Sequence, residues 1–344
     1  MRIAYIGLNG GTSHHRAEAL RRLGHKVSLV NPWAQLGQSR WLARWLDRTG
    51  ALGVPLLIDN WTFDRVRESR PDLVWVDQGP ILGPTLIRRL RSLSTPIVNY
   101  TIDDPFGGYH PRRFRLYRRA LPYYDLVAVV REVNVKEAME AGARKVVRIY
   151  RSADEIAHSP RALAPDERQA SGSEVAFVGT WLPERGPFMA QLIRLGIPLC
   201  IWGDRWSKAR EWPVLKPHWR GPAVYDEQYA KVILSAKVAL GLLSKGNRDL
   251  HTQRSMEIPA LGAVLCAERT SEHMSLYHDG VEAVFWTTAE ECATACRSLL
   301  TDDARRESVA RRGRERLQRN GHYNEQVLAA VLKEVAGPAA KALP

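Results

Sequence analysis

The chain has 344 residues, with 50 lysines and arginines against 37 aspartates and glutamates, a formal net charge of +13. Its 45% hydrophobic and 25% charged residues exclude a disordered or fibrous protein, and the length suits two domains of about 150 residues each. The apolar run Ile3–Ile6 is too short for the core of a signal peptide, and the longest apolar stretch, 232–243, is interrupted by Ser235 and Lys237 and falls short of a membrane span; a cytoplasmic protein is expected.

In chain order, short apolar runs alternate with amphipathic segments, the pattern of parallel sheets covered by helices. Strands are predicted at 2–6, 27–30, 73–76, 97–100, 126–130 and 146–149, with a helix over 13–23 that Ser13 caps and Gly24 ends. The tryptophan-rich region 33–48 follows neither period. From about Ala153 the chain becomes polar, contains Pro160 and Pro165, and reads as a linker over 156–173. A second series of strands follows at 174–178, 198–202, 237–242, 263–266 and 283–286. The expected architecture is α/β, with two tandem doubly wound, Rossmann-like domains at 1–155 and 174–321. The segment 322–344, helical over 322–335, is expected to pack back on the first. Cys200, Cys266, Cys292 and Cys296 form no Cys-x-x-Cys pair and have no histidine at ligand spacing. They read as small core residues of a reduced protein, and no metal site is expected.

In doubly wound sheets ligands bind beyond the carboxyl ends of the strands, so the turns there carry the chemistry. After the first strand, Gly7-Leu8-Asn9-Gly10-Gly11-Thr12-Ser13 lets backbone N–H groups, at Gly10 and Gly11 above all, approach an anion at a helix N-terminus. The alternative reading is a tight turn without a ligand. It lacks the spacing of the dinucleotide fingerprint, and Asn31-Pro32 stands where a ribose-binding carboxylate belongs, which disfavours a nicotinamide-dependent dehydrogenase. After the fourth strand, Asp103 and Asp104 are candidate general bases toward a hydroxyl, or caps of the following turn. His14 is an alternative base, as are His15 and His110.

In the second half, Gly179 and Thr180 end a strand ahead of Arg185, and Lys245 and Arg248 follow another ahead of Arg254 and Glu257. Four cations at one sheet end suit a diphosphate held by guanidinium groups and helix N-termini without a metal. Glu257, three residues beyond Arg254, either accepts the hydroxyls of a ribose or forms a surface pair with Arg254. Trp202, Trp206 and Tyr225 either stack on a base or fill the core.

The run from Phe177-Val178-Gly179-Thr180 and Arg185 through Trp202-Gly203-Asp204-Arg205-Trp206 to Arg254-Ser255-Met256-Glu257-Ile258-Pro259-Ala260-Leu261-Gly262 and the closing arginine-rich helix resembles the C-terminal region of GT-B glycosyltransferases. It is most similar to the group that includes the spore-maturation protein CgeB. The likeness covers about 174–325 and extends weakly to Tyr100-Thr101-Ile102-Asp103-Asp104-Pro105-Phe106. Pro259 is an unusual guest inside the motif's helix. The resemblance implies a nucleotide-sugar donor in the second domain, a hydroxyl acceptor in the first, and metal-independent transfer in the cleft between them. Glu257 matches the ribose position, and Arg185 and Arg254 match positions facing the diphosphate. The Glu-x7-Glu pair of many retaining members is absent, because Asp249 stands eight residues before Glu257; retention or inversion stays open.

Arginines crowd 112–119 and 305–319. Each set reads as a solvated helix face or as a surface for a polyanion or the headgroups of an anionic membrane, which would place the protein peripherally at the inner membrane face. Nucleic acid is not an expected partner, because no recognition motif or aromatic stacking platform accompanies them. Rival readings are a catalytically silent relative that binds a nucleotide sugar or polyanion as a scaffold, and an epimerase of the same two-domain form.

Overall fold

The structure, a computed structural model, describes residues 1–37, 45, 48–108 and 112–336. The chain divides into two compact units, one of Met1–Tyr150, Gly246–Arg248 and Asn324–Pro344, the other of Arg151–Lys245 and Asp249–Tyr323.

The first unit holds a six-stranded parallel sheet in the order β2-β1-β3-β4-β5-β6. Its strands are β1 (Arg2–Ile6), β2 (Lys26–Val30), β3 (Leu73–Asp77), β4 (Ile97–Thr101), β5 (Leu126–Val129) and β6 (Val146–Arg148). All of β3, β4 and β5 is buried, which is why these strands read as continuous apolar runs instead of alternating ones. One core face is built on Val74, Val76, Val127 and Val129 with Ile58 and Leu86 from helices. The other is built on Tyr5, Trp75 and Tyr100. The helix Asn324–Ala336 packs on the helix Gly11–Arg22 and adds Val327, Leu328 and Val331 to this second face.

The second unit repeats the plan in the order β12-β11-β10-β7-β8-β9. Its strands are β7 (Ser173–Val178), β8 (Leu199–Trp202), β9 (Trp219–Gly221), β10 (Ala236–Gly241), β11 (Leu265–Glu268) and β12 (Val284–Trp286). Every strand pair in both sheets is parallel. The chain reverses its direction of sheet building between β1 and β3 in the first unit and between β7 and β10 in the second. These are the switch points at which such sheets open a crevice.

Eleven strands were expected and twelve are found among the described residues. The addition, β9, is three residues long with only Gly221 buried, so it carries no apolar signature. The helix beside β1 begins at Gly11 with Gly10 as its N-cap, so the expected capping by Ser13 is corrected. Ser13 lies inside the helix and its hydroxyl accepts the Leu8 N–H at 3.1 Å, closing the turn. Gly24 does end that helix, with φ 83°. The polar stretch read as a linker contains a helix, Pro165–Ser171, started by Pro165 and by Glu167, whose carboxylate accepts the Ala164 N–H at 3.0 Å. Of the region 33–48, Pro32–Gln35 forms a 3-10 turn capped by Asn31, and 38–44 and 46–47 lie outside the described residues. No described helix is long and apolar enough to cross a membrane.

Candidate active site

Each switch point carries one buried arginine, and the two are treated differently. In the first unit Arg16, on the helix Gly11–Arg22, is 2% exposed and pairs with Asp77 at the end of β3 through two bonds of 2.9 and 3.1 Å. Its charge is compensated in place. The turn before it is tight, since a Cβ on Gly7 would stand 2.6 Å from the Tyr5 ring and 2.7 Å from the Ser13 hydroxyl. Gly10 and Gly11 face open space.

In the second unit Arg185 opens the helix Arg185–Arg194 behind the β7 turn. Its guanidinium is buried and donates to the carbonyls of Thr180 (2.7 Å), Leu242 (3.3 Å) and Leu243 (3.1 Å), bridging the ends of β7 and β10. No carboxylate pairs with it among the described residues, and its Nε–H is buried without an acceptor. Burial, opposed by Glu184 and reinforced by the neighbouring Arg254, pushes its pKa down to about 10. Gly179 permits this approach, because a Cβ there would meet the Phe177 ring at 2.7 Å and the Arg185 Nη1 at 3.2 Å.

Arg254 begins the helix Arg254–Ala260 and donates from Nε to the Val178 carbonyl at 3.2 Å, so it stands on the same strand end. It pairs with Glu257 and lies over the Tyr229 ring, 4.1 Å from the centroid. Glu257 is 2% exposed, with His158 Nε2 at 3.5 Å from its other oxygen. Burial raises the Glu257 pKa, and Arg254 and His158 more than reverse it, so the carboxyl is held below its usual range. His158 is itself oriented, accepting the Asp154 N–H on Nδ1 at 2.9 Å. Asp249 is buried and paired with Arg151 at 3.3 Å. Lys245, more exposed, pairs with Glu268.

Of the four cations expected together, Arg185 and Arg254 meet at the β7 end, and Lys245 follows β10. Arg248 groups with the first unit, where it grips Asp104 with bonds of 2.6 and 2.7 Å and Glu137 with bonds of 2.8 and 2.9 Å. Asp104 also accepts the N–H groups of Phe106 and Gly107 and the Asn134 amide. It therefore caps its turn. Burial raises its pKa, but Arg248 and Asn134 hold it below the usual range. Asp103 is half-buried and makes no hydrogen bond among the described residues. His14 is partly exposed and lies 3.8 Å from Glu18 on its own helix; His110 lies outside the described residues. Trp206 is 1% exposed, with its indole N–H on the Gly179 carbonyl at 3.0 Å, and so supports the turn from the core. Tyr225, 66% exposed, precedes the helix Asp226–Leu234.

Sequence reasoning missed His158 and Tyr229. Neither has a motif, and only the fold brings them to Glu257. It also missed that the sulfurs of Cys266, Cys292 and Cys296 lie within 4.8 Å of one another. All three are fully buried in the apolar core of the second unit, where they pack as small hydrophobes. Arginines of the helix Asp303–Arg319 are in part exposed and in part engaged within their own unit. Arg316 donates to the Leu276 carbonyl, Arg319 pairs with Glu282, and Arg306 pairs with Asp303 while donating to the Leu299 carbonyl.

The fold is shared with solved structures. Sucrose-phosphate synthase from Thermosynechococcus elongatus matches with a TM-score of 0.70 at 14% identity over 96% of this chain and 98% of that one. HepE from Anabaena, solved in complex with UDP-glucose, matches with a TM-score of 0.66 at 12% identity over 96% and 99%. A UDP-forming α,α-trehalose-phosphate synthase from Burkholderia xenovorans gives 0.64 at 13% over 98% and 99%. The fold is GT-B. Within it, residues 185–333, less than half of the chain, match the model of a family described as glycosyl transferase-like. That segment begins at Arg185 and contains Lys245, Arg254 and Glu257. None of the curated protein sequences matches the chain.

Proposed function

We propose that this GT-B protein is a glycosyltransferase that moves a sugar from a nucleoside-diphosphate sugar to a hydroxyl acceptor without a metal. The observation that carries the reading is Arg185. A buried cation at a switch point, held by three carbonyls and the face of the Phe177 ring, with an orphan N–H and no paired carboxylate among the described residues, is an anion site in waiting, whereas its counterpart Arg16 is already neutralised by Asp77. The glycosyl transferase-like match over 185–333 and the UDP-glucose complex of HepE support a nucleotide sugar as that anion. The likeness to CgeB and its relatives rests on the run from Phe177 to the closing arginine-rich helix, of which the Arg254–Gly262 motif is the most specific part.

In this reading Arg185, Arg254 and Lys245 stabilise the departing diphosphate as its charge develops, which concentrates catalysis in preorganised electrostatics. Glu257 holds Arg254 in place and shares its carboxylate with the donor ribose. If the reaction inverts, the acceptor proton goes to Asp103. Asp104 is the weaker base because Arg248, Asn134 and two backbone N–H groups already engage it, and His14 is the alternative.

The test is release of nucleoside diphosphate from a panel of nucleotide sugars, with and without acceptor sugars, for wild type, Arg185→Lys and Asp103→Asn. Release that drops about tenfold or more in Arg185→Lys and about a hundredfold in Asp103→Asn agrees with these roles. Tight donor binding with no release from any nucleotide sugar would favour the silent scaffold.

A further inference from the structure

We propose that the first turn of the helix Val54–Glu68 and the loop before it form a docking surface for an anionic lipid bilayer. The helix buries Val54, Ile58, Thr62 and Val66 at four-residue spacing, and this periodicity turns Leu56 and Leu57 away from the core. They are 87% and 69% exposed, and Leu52 beside them is 66% exposed. Single exposed leucines are ordinary; three within six residues make a patch. Trp45, partly exposed, extends it, with its ring 3.8 Å from where a Cβ on Gly53 would stand.

The patch has a basic rim. Arg48, Arg112 and Arg115 are all exposed. Arg112 donates to the Arg48 carbonyl at 3.4 Å, and a Cβ on Gly50 would lie 2.4 Å from the Arg112 carbonyl and 3.3 Å from the Arg115 Cβ. Gly50 and Gly53 both have positive φ, 67° and 79°, and bend the loop that presents Leu52. Leucines that enter the acyl boundary beside arginines that meet phosphate headgroups are the two signals a peripheral protein needs for stable, reversible attachment. Nucleic acid would use the arginines and leave the leucines in water, so the bilayer accounts for both. The inference is independent of the glycosyl-transfer reading. It separates the two arginine-rich segments, because the arginines of Asp303–Arg319 are in part engaged within their own unit.

The test is flotation of the full chain with vesicles of phosphatidylcholine alone or mixed with phosphatidylglycerol, at low and high salt. Wild type is expected to bind only the phosphatidylglycerol vesicles, less at high salt. The double variants Leu56→Asp/Leu57→Asp and Arg112→Glu/Arg115→Glu are each expected to lower the partition at least about tenfold with unchanged melting. Arg311→Glu/Arg312→Glu is expected to bind like wild type. Absence of wild-type binding to phosphatidylglycerol, or undiminished binding by the leucine variant, overturns the proposal. So does sedimentation showing that the leucine variant splits a dimer while its vesicle binding is unaltered, since the patch would then serve a second copy of this chain.

Discussion

Arg16 and Arg185 occupy the switch points of two sheets built to one plan, and they differ in that Asp77 forms an ion pair with Arg16 while no carboxylate among the described residues forms one with Arg185. The same economy of partners makes Glu257 structurally exposed to mutation. Glu257→Ala leaves Arg254 and His158 facing a buried gap and is expected to cost about 3 kcal/mol by chemical denaturation. Glu257→Gln, which keeps the shape, is expected to cost less and is the better probe of donor binding. Because the Glu257 carboxyl is held below its usual range, its contribution is complete above the unfolded value of 4.5 and is lost as pH falls through the lower folded value. His273 acts over a higher window. Its ring lies between the Ser255 hydroxyl at 2.7 Å and the Glu268 carbonyl at 2.6 Å and is buried, which pushes its pKa down from 6.5 to about 4, with His251 adding to the shift. The folded form resists the proton that the unfolded chain accepts. Stability is therefore expected to fall between pH 6.5 and 4, by an amount on the order of 3 kcal/mol, and His273→Gln should flatten that part of the curve. The positions of Arg185, Arg254 and Glu257 after their strands were legible in the sequence, because strand-end turns are where such sheets expose chemistry. His158 and Tyr229 were not legible, because contact between residues far apart in the chain leaves no local spacing to read.

At the scale of elements, the helix Arg254–Ala260 shows how a motif tolerates an unfavourable residue. Pro259 has no N–H to offer the Ser255 carbonyl four residues earlier. The Tyr277 hydroxyl takes that place, donating to Ser255 O at 2.7 Å. Tyr277→Phe is expected to destabilise the protein by about 1–3 kcal/mol. The loss should be smaller in a Pro259→Ala background, where the helix can supply its own donor, and equal losses in both backgrounds would contradict this account. The helix Asn324–Ala336 closes one face of the first sheet, and Leu328→Ala is expected to cost about 2–5 kcal/mol from the cavity it leaves. Strands such as β3, β4 and β5 were readable because parallel strands buried on both faces are largely apolar runs. The strand β9 and the helix Pro165–Ser171 were not readable, since one exposes two of its three residues and the other has a single buried residue, Ser171. Ser13 misled as a cap because its hydroxyl serves the turn and not the helix end.

For the whole molecule, the second unit is proposed to bind a nucleoside diphosphate at the carboxyl ends of β7 and β10. Charge alone does not establish it, since a net +13 attracts many anions. The direct measurement is the thermal shift produced by UDP, GDP, TDP, ADP and CMP, each with and without Mg²⁺, on wild type, Arg185→Lys and Glu257→Gln. A rise in melting temperature with one nucleoside diphosphate that needs no Mg²⁺ and is reduced in both variants is the predicted result. No rise with any nucleotide, or a rise that both variants retain in full, would contradict the account.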